Sequence, residues 1–203
     1  MRIIMLIDMD AFYVACEELR HPEIKEVPAV VGWDPKEGKG RGVVLTCNYK
    51  AREFGMRSGM PISAAYRLNP KAVYIKPDFD YYESISKKVM TIIRPMADRL
   101  EQVSVDEAYA DVSKRVDSYE QAQGYAQMIR NTVLDGSGLK CSIGIGTSKL
   151  IAKMACERAK PNGVKLVREE DARRFLADME VGFSPLACHL RYKFACPNSY
   201  RAF

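Results

Sequence analysis

Asp106 and Glu107 are two carboxylates side by side in a stretch, residues 102–112, that otherwise reads as strand. Val103, Val105, Ala108, Ala110 and Val112 are apolar positions of the kind a sheet buries. Adjacent charges in such a run are costly unless something neutralises them. A surface β-turn that solvates them is one answer. A divalent cation, held with a third carboxylate from elsewhere in the chain, is the other, and hard oxygen ligands suit Mg²⁺ or Mn²⁺ rather than zinc. Asp8 is a candidate for that third group. It ends a β-type apolar run at residues 2–7 and precedes a helical pattern in which Phe12, Cys16 and Leu19 share a face and Asp10 suits the helix start. Catalytic groups on α/β sheets commonly stand at such a strand end, but so do helix caps. Two further groupings suit phosphate. Tyr49 and Arg52 are three apart, hence neighbours on a helix face, and a hydroxyl beside a guanidinium fork can clamp a phosphate or form an ordinary surface pair. Lys149, Lys153 and Lys160 can form one stripe, with Glu157 the single acid between residues 144 and 168. Such a stripe is either a solvated face or a helix tracking a phosphate backbone.

The elements that must position these groups follow from periodicity. Strands are expected at residues 2–7, 28–32, 42–46, 72–75, 100–104, 108–112 and 139–146. Helices are expected at 10–19, 48–54 (stopped by Gly55), 61–68, 78 to about 98 (with Pro95 near its end), 118–134, and from a cap at Thr147 or Ser148 to a stop before Pro161. Residues 38–42 form a glycine-rich basic loop without the Gly-Lys-Ser/Thr ending of a P-loop, which leaves a hairpin-type loop. The outer pieces make a β-α-β-β-α-β core, an α/β (α+β) fold of the ferredoxin-like split βαβ type, with residues 12–77 inserted after the first strand. In a strand, adjacent side chains point to opposite faces. Asp106 and Glu107 can therefore share a cation only if the turn between the hairpin strands re-aims one of them.

The chain has 203 residues, 47% hydrophobic and 28% charged, with a net charge of +5. That is an ordinary globular composition with a mild basic excess, compatible with a polyanionic partner. No apolar run approaches the roughly 20 residues of a membrane span, and the N-terminal run is too short for a signal peptide. The six cysteines form no CxxC pair and read as reduced intracellular thiols. The nearest approach to a cluster, Cys188, His189 and Cys196, fits no standard zinc spacing.

Six segments, in order, resemble the catalytic core of Y-family, DinB-type lesion-bypass DNA polymerases. They are Ile7-Asp8-Met9-Asp10-Ala11-Phe12-Tyr13, Cys47-Asn48-Tyr49-Lys50-Ala51-Arg52, Gly55-Met56-Arg57-Ser58-Gly59-Met60-Pro61, Ser104-Val105-Asp106-Glu107-Ala108-Tyr109, Ser142-Ile143-Gly144-Ile145-Gly146 and Ala159-Lys160-Pro161-Asn162-Gly163. The resemblance implies a DNA-directed DNA polymerase that adds dNTPs to a primer 3′ end with low fidelity. Asp8, Asp106 and Glu107, with the Met9 carbonyl, would hold two Mg²⁺ ions, for which Mn²⁺ can substitute. Tyr49, Arg52 and Lys160 match the triphosphate contacts, Thr46 is grouped with them, and Tyr13 matches the steric gate that excludes a ribose 2′-hydroxyl. Ser104, Lys149 and Lys153 would face the DNA backbone. Residues 1–11 and 78–167 would be the palm and residues 12–77 a small fingers domain, a loose roof that admits damaged templates. Residues 168–203 would be a partial thumb helix, at 171–179, and an irregular tail. Family members continue here into a thumb and a little finger, so weak DNA binding is expected of this truncated chain. The implied partners are primer–template DNA and a dNTP, with a sliding clamp in a full-length member. The implied setting is a cytoplasmic monomer. Two other readings are a palm-type nucleotidyl cyclase, disfavoured because no Gly-Gly-Asp/Glu-Glu-Phe hairpin is present, and a non-catalytic DNA-binding fragment.

Overall fold

Every residue of strand β1, Ile4–Met9, is buried, as a central strand flanked on both edges and both faces requires. The structure, a computed structural model, describes residues 1–177. The chain continues through α1 (Phe12–Arg20), β2 (Ala29–Gly32), β3 (Val44–Cys47), α2 (Tyr49–Glu53), α3 (Ile62–Leu68), β4 (Val73–Ile75) and α4 (Phe79–Ile93). It then forms β5 (Arg99–Gln102), β6 (Glu107–Asp111), α5 (Tyr119–Ser137), β7 (Cys141–Gly146), α6 (Lys149–Ala159), β8 (Val164–Leu166) and α7 (Ala172–Ala177). The strands make two sheets, one ordered β5-β6-β1-β7-β8 and a smaller one ordered β3-β2-β4. The first four strands of the large sheet have the order of a split βαβ, with β8 added parallel to β7. The expected tail and the last residues of the expected thumb helix lie outside the described residues, as do Cys188, His189 and Cys196.

Alternation along β1 divides the molecule into layers. Ile3, Met5, Ile7 and Met9 join the main core with Val89 and Ile93 of α4 and Ala122, Ala126, Ile129 and Val133 of α5. Ile4 and Leu6 point the other way and pack under Ala152 and Cys156 of α6. Helix α6 can lie close because β7 carries glycine on that face. A Cβ at Gly144 would collide with the carbonyl oxygen of Ala152 and the backbone of Cys156, and one at Gly146 would meet the Ile151 side chain.

Helix ends follow their capping chemistry. Ser148 Oγ accepts the Ile151 N–H at 3.3 Å, Ser118 Oγ accepts that of Gln121 at 3.1 Å, and Gly138 closes α5 at φ +76°. Helix α4 stops at Ile93 and gives way to a 3₁₀ turn, Arg94–Met96, that accommodates Pro95. One expectation fails here. Asp10 does not start α1, which begins at Phe12 with Ala11 in the left-handed region (φ 47°) and no side-chain cap. The Asp10 carboxylate is taken by partners far along the chain.

The small sheet hangs on a single buried amide. Asn48 Oδ1 accepts the N–H groups of Ala29 (3.1 Å) and Ala51 (3.0 Å), while its Nδ2 donates to the carbonyls of Val27 (2.9 Å) and Ile24 (3.3 Å). One side chain thus caps α2 and ties it to the entry of β2. Asn48→Ala strands buried donors and acceptors, and we expect it to destabilise the protein by about 2 kcal/mol. Urea unfolding checks this, and a parent-like midpoint would contradict the tethering role. Helix α1 links the two sheets: Phe12, Val14 and Cys16 sit in the main core together with Ala29 and Val31 of β2. Cys16, Cys47, Cys141 and Cys156 are buried and free of disulfides. Among the described residues no helix is long and apolar enough to cross a membrane.

Candidate active site

The site grows from strand register. In the antiparallel pairing of β1 with β6, Asp8 stands directly opposite Glu107, and its other neighbour on β7 is Ser142. Directly opposed residues project from the same face, so Asp8 and Glu107 share the face that carries α6. Asp106 precedes the strand, in the turn between β5 and β6. That turn is tight, because the N–H groups of Val103 (3.0 Å) and Ser104 (3.3 Å) both donate to the Glu107 carbonyl. The Met9 N–H in turn donates to the Asp106 carbonyl at 2.9 Å, tying the turn to the end of β1. This is the break in alternation that two adjacent acids need in order to serve one site. The Asp106 charge lies close enough to oppose ionisation of Asp8.

Each carboxylate is already held. Lys160 Nζ donates to Asp8 Oδ2 at 2.8 Å and to Glu157 Oε1 at 3.0 Å. Lys153 Nζ bridges both Glu107 oxygens, at 2.8 and 3.0 Å. The Ser104 hydroxyl donates to Asp106 Oδ1 at 2.6 Å. Lys149 pairs with Glu101 of β5 at 2.5 Å and lies over the Tyr109 ring. The lysine stripe of α6 therefore faces the acids of the sheet rather than open water. Among the described residues no three acidic, His or Cys side chains are gathered into a ready cation cage. The donor set nonetheless fits a hard divalent ion, since Asp8 and Glu107 offer carboxylate oxygens on one face and Asp106 stands in the adjoining turn.

Burial and the neighbouring lysines set the electrostatics of these carboxylates. Burial raises the Asp8 pKa to about 7; Lys160 works against that rise and Asp106 adds to it. Lys160 moves in the opposite sense: burial lowers its pKa, but the Asp8 and Glu157 carboxylates outweigh burial and raise it. For Lys153 likewise, burial lowers the pKa and contact with Glu107 more than restores it. The pocket is one in which negative charge is paired or suppressed.

Of the groups expected to touch a nucleotide, Tyr49 with its neighbour Arg52 lies within electrostatic reach of this cluster. The Arg52 guanidinium lies 4.7 Å from the centre of the Tyr49 ring, and its Nε donates to the Cys47 carbonyl at 3.3 Å. Burial raises the Tyr49 pKa, Asp10 and Asp8 push the same way, and Arg52 and Lys160 oppose them. The phenol on α2 is thus in electrostatic reach of the β1 acids and of Lys160. Thr46 is buried on β3, opposite Val31. The Tyr13 ring sits in an aromatic group, 4.9 Å from Tyr82, 5.6 Å from Phe12 and 6.2 Å from Phe79, centre to centre. Tyr82 is fixed from behind by donating to Glu17 Oε1 at 2.6 Å. Sequence reasoning missed the parts played by Asp10, which binds Ser142 and Asn162, Glu157, which binds Lys160, and Arg130, which binds Asn162 and Cys141. The Asp-x-Asp spacing of Asp8 and Asp10, two acids on one side of a strand end, was the available signal for the first.

Comparison with known proteins gives the family of the chain. The family model described as IMS, the impB/mucB/samB family, matches residues 7–157. Proteins named DNA polymerase IV 2 from Methanosarcina mazei and DNA polymerase IV from Methanoculleus marisnigri are each 44% identical over 184 residues, 91% of this chain and 50% and 51% of theirs. A DNA polymerase IV of Streptococcus pyogenes is 41% identical over 180 residues. Among solved structures, an insertion ternary complex of Dbh DNA polymerase superposes with a TM-score of 0.84 at 32% identity, covering 94% of this chain and 57% of that one. DinB from Sulfolobus solfataricus gives 0.82 at 30%, covering 95% and 57%. The chain spans about half the length of the curated relatives it matches. With most of its length covered by one family model, the chain belongs to the IMS (impB/mucB/samB) family and forms a DinB-type Y-family catalytic region.

Proposed function

We propose that this chain catalyses template-directed addition of a dNTP to a primer 3′ end, as the palm (residues 1–11 and 78–167) and fingers (12–77) of a low-fidelity lesion-bypass DNA polymerase. The observation that carries the reading is the register of β1 with β6, which sets Asp8 opposite Glu107 with Asp106 in the adjoining turn. Asp8, Asp106, Glu107 and the Met9 carbonyl are the groups that would hold two Mg²⁺ ions, or Mn²⁺ in their stead. Held there, such ions would supply Lewis acidity toward a primer hydroxyl and charge neutralisation for a triphosphate. Lys160, exchanged off Asp8, supplies a mobile cation to the phosphates, and Arg52 supplies a planar one beside the Tyr49 hydroxyl. Tyr13, packed against Tyr82 and Phe79, is the ring assigned to the sugar. Lys149, Lys153 and Ser104 are the groups assigned to the DNA backbone. The partners are primer–template DNA and a dNTP, with a sliding clamp for the whole polymerase, and the setting is a cytoplasmic monomer, in keeping with Cys16, Cys47, Cys141 and Cys156, the buried cysteines of the described residues, being unpaired.

Primer extension with Mg²⁺ and each dNTP tests the reading. Complementary addition supports it. Absence of extension with Mg²⁺ and with Mn²⁺ favours a non-catalytic DNA-binding fragment, and GTP turnover without DNA favours a cyclase. Tyr13→Ala removes the clash with a ribose 2′-hydroxyl. Overpacking of this sort costs about 1–3 kcal/mol, so we expect rNTP use relative to dNTP to rise about ten- to a hundredfold. Unchanged sugar discrimination in single-nucleotide incorporation would remove Tyr13 from the role.

A further inference from the structure

Asp10 takes no part in the chemistry above, yet its carboxylate is buried, 6% exposed, and both of its oxygens are engaged. Oδ1 accepts the hydroxyl of Ser142, a wholly buried residue of β7, at 2.8 Å, and Oδ2 accepts the backbone N–H of Asn162 at 2.7 Å. The Ser142 hydroxyl oxygen also accepts the N–H of Gly163 at 3.4 Å. From the other side, Arg130 of α5 donates to the carbonyl and side-chain oxygens of Asn162 and, through Nε at 3.1 Å, to the Cys141 carbonyl. The turn so gripped has little slack. Asn162 is in the left-handed region at φ 49°, and a Cβ at Gly163 would collide with the Ala159 carbonyl. Lys160 is the C-cap of α6 and opens this turn.

We propose that Asp10 is the positioning residue of Lys160: by binding the Asn162 N–H and the Ser142 hydroxyl it fixes the turn from which Lys160 reaches, and so sets the affinity of the site for a nucleoside triphosphate. This rests on the triphosphate role given to Lys160 above. The carboxylate accepts at both oxygens, one bond from a backbone N–H and one from a hydroxyl. Asparagine has the same shape but only one acceptor oxygen: its NH₂ group either faces the Asn162 N–H, which then loses its acceptor, or faces the Ser142 hydroxyl, which must then accept instead of donate, and in both cases the charge-assisted bond to the turn is lost. A buried carboxylate facing neutral donors is a costly way to join strands, and β1 and β7 are already joined by a ladder of six paired residues. What the ladder does not hold is the turn after α6.

The test is equilibrium binding of dATP with Mg²⁺, and of inorganic tripolyphosphate with Mg²⁺, by calorimetry without primer. The proteins are the parent, Asp10→Asn, Ser142→Ala, Lys160→Ala and the double variant Asp10→Asn/Lys160→Ala. Loss of one charge-assisted bond predicts that Asp10→Asn weakens both ligands about tenfold, with Ser142→Ala weaker than the parent in the same direction. The decisive readout is the double variant. If Asp10 acts through Lys160, it binds no more weakly than Lys160→Ala alone, whereas independent effects add. Parent-like binding by Asp10→Asn, or full additivity in the double variant, overturns the proposal. If Lys160→Ala itself binds like the parent, the triphosphate role of Lys160 falls and the proposal falls with it, a pattern distinct from failure of Asp10 alone. Should Asp10→Asn not fold, the same cycle run with Ser142→Ala decides.

Discussion

Glu107→Ala abolishes nucleotide incorporation while the protein remains folded: this is the largest functional effect we expect. Removing one oxygen ligand from the proposed paired-cation site would forfeit several kcal/mol of transition-state stabilisation. At about 1.4 kcal/mol per decade, that is a rate loss on the order of a thousandfold. Asp106→Ala is expected to behave alike. Neither change touches the ladder of β6 with β1, which is made of backbone groups. Glu107→Ala leaves the Lys153 ammonium without its carboxylate, but that side chain is 26% exposed and can turn to water. Single-turnover extension and far-UV circular dichroism, taken together, check the claim. Incorporation within about tenfold of the parent would remove Glu107 from the metal set.

Gly144→Ala is expected to be the most damaging change to stability, although it adds one methyl group. The added carbon would overlap the Ala152 carbonyl oxygen and the Cys156 backbone, which belong to a helix and cannot rotate away as a side chain could. Relief requires α6 to lift from the sheet. Overpacking of this kind costs about 3 kcal/mol or more when the obstacle is backbone. The helix also carries Lys153 to Glu107 and ends at Lys160 on Asp8, so activity should fall with stability. Urea unfolding measures the first effect. A midpoint unchanged from the parent would mean that α6 does not depend on this close approach.

Much of this could be read before any coordinates. The split βαβ order follows from alternating strand and helix periods, and the need for the turn between the hairpin strands to re-aim Asp106 or Glu107 follows from the period of a strand. Stops and caps such as Pro95, Ser148 and Pro161 sit where local chemistry puts them. What escaped was set by partners far along the chain. Asp10 looks like a helix start because that is the local alternative for an aspartate before an amphipathic run, yet its hydrogen bonds go to residues 132 and 152 positions away. The lysines of α6 look like a stripe turned to water or to phosphate because the acids that meet them, Glu101, Glu107 and Asp8, come from other strands. Asn48 reads as part of a motif, while its reach to Ala29 and Val27 across the small sheet has no local signature.

The ion pair that joins Arg20 to Asp78, at 2.8 Å across 58 positions of chain, has a consequence for how such a protein can change over time. The path departs from the large sheet and comes back to nearly the same point, with the Arg20 guanidinium also stacked on Tyr81. Everything between those residues is an excursion whose ends are already stapled together. Segments of this kind tolerate lengthening, shortening and replacement, because the host body gains and loses no strand. If this segment is the fingers roof proposed above, it can be remodelled, and with it the range of templates accepted, while β1, β6 and their carboxylates stay where they are.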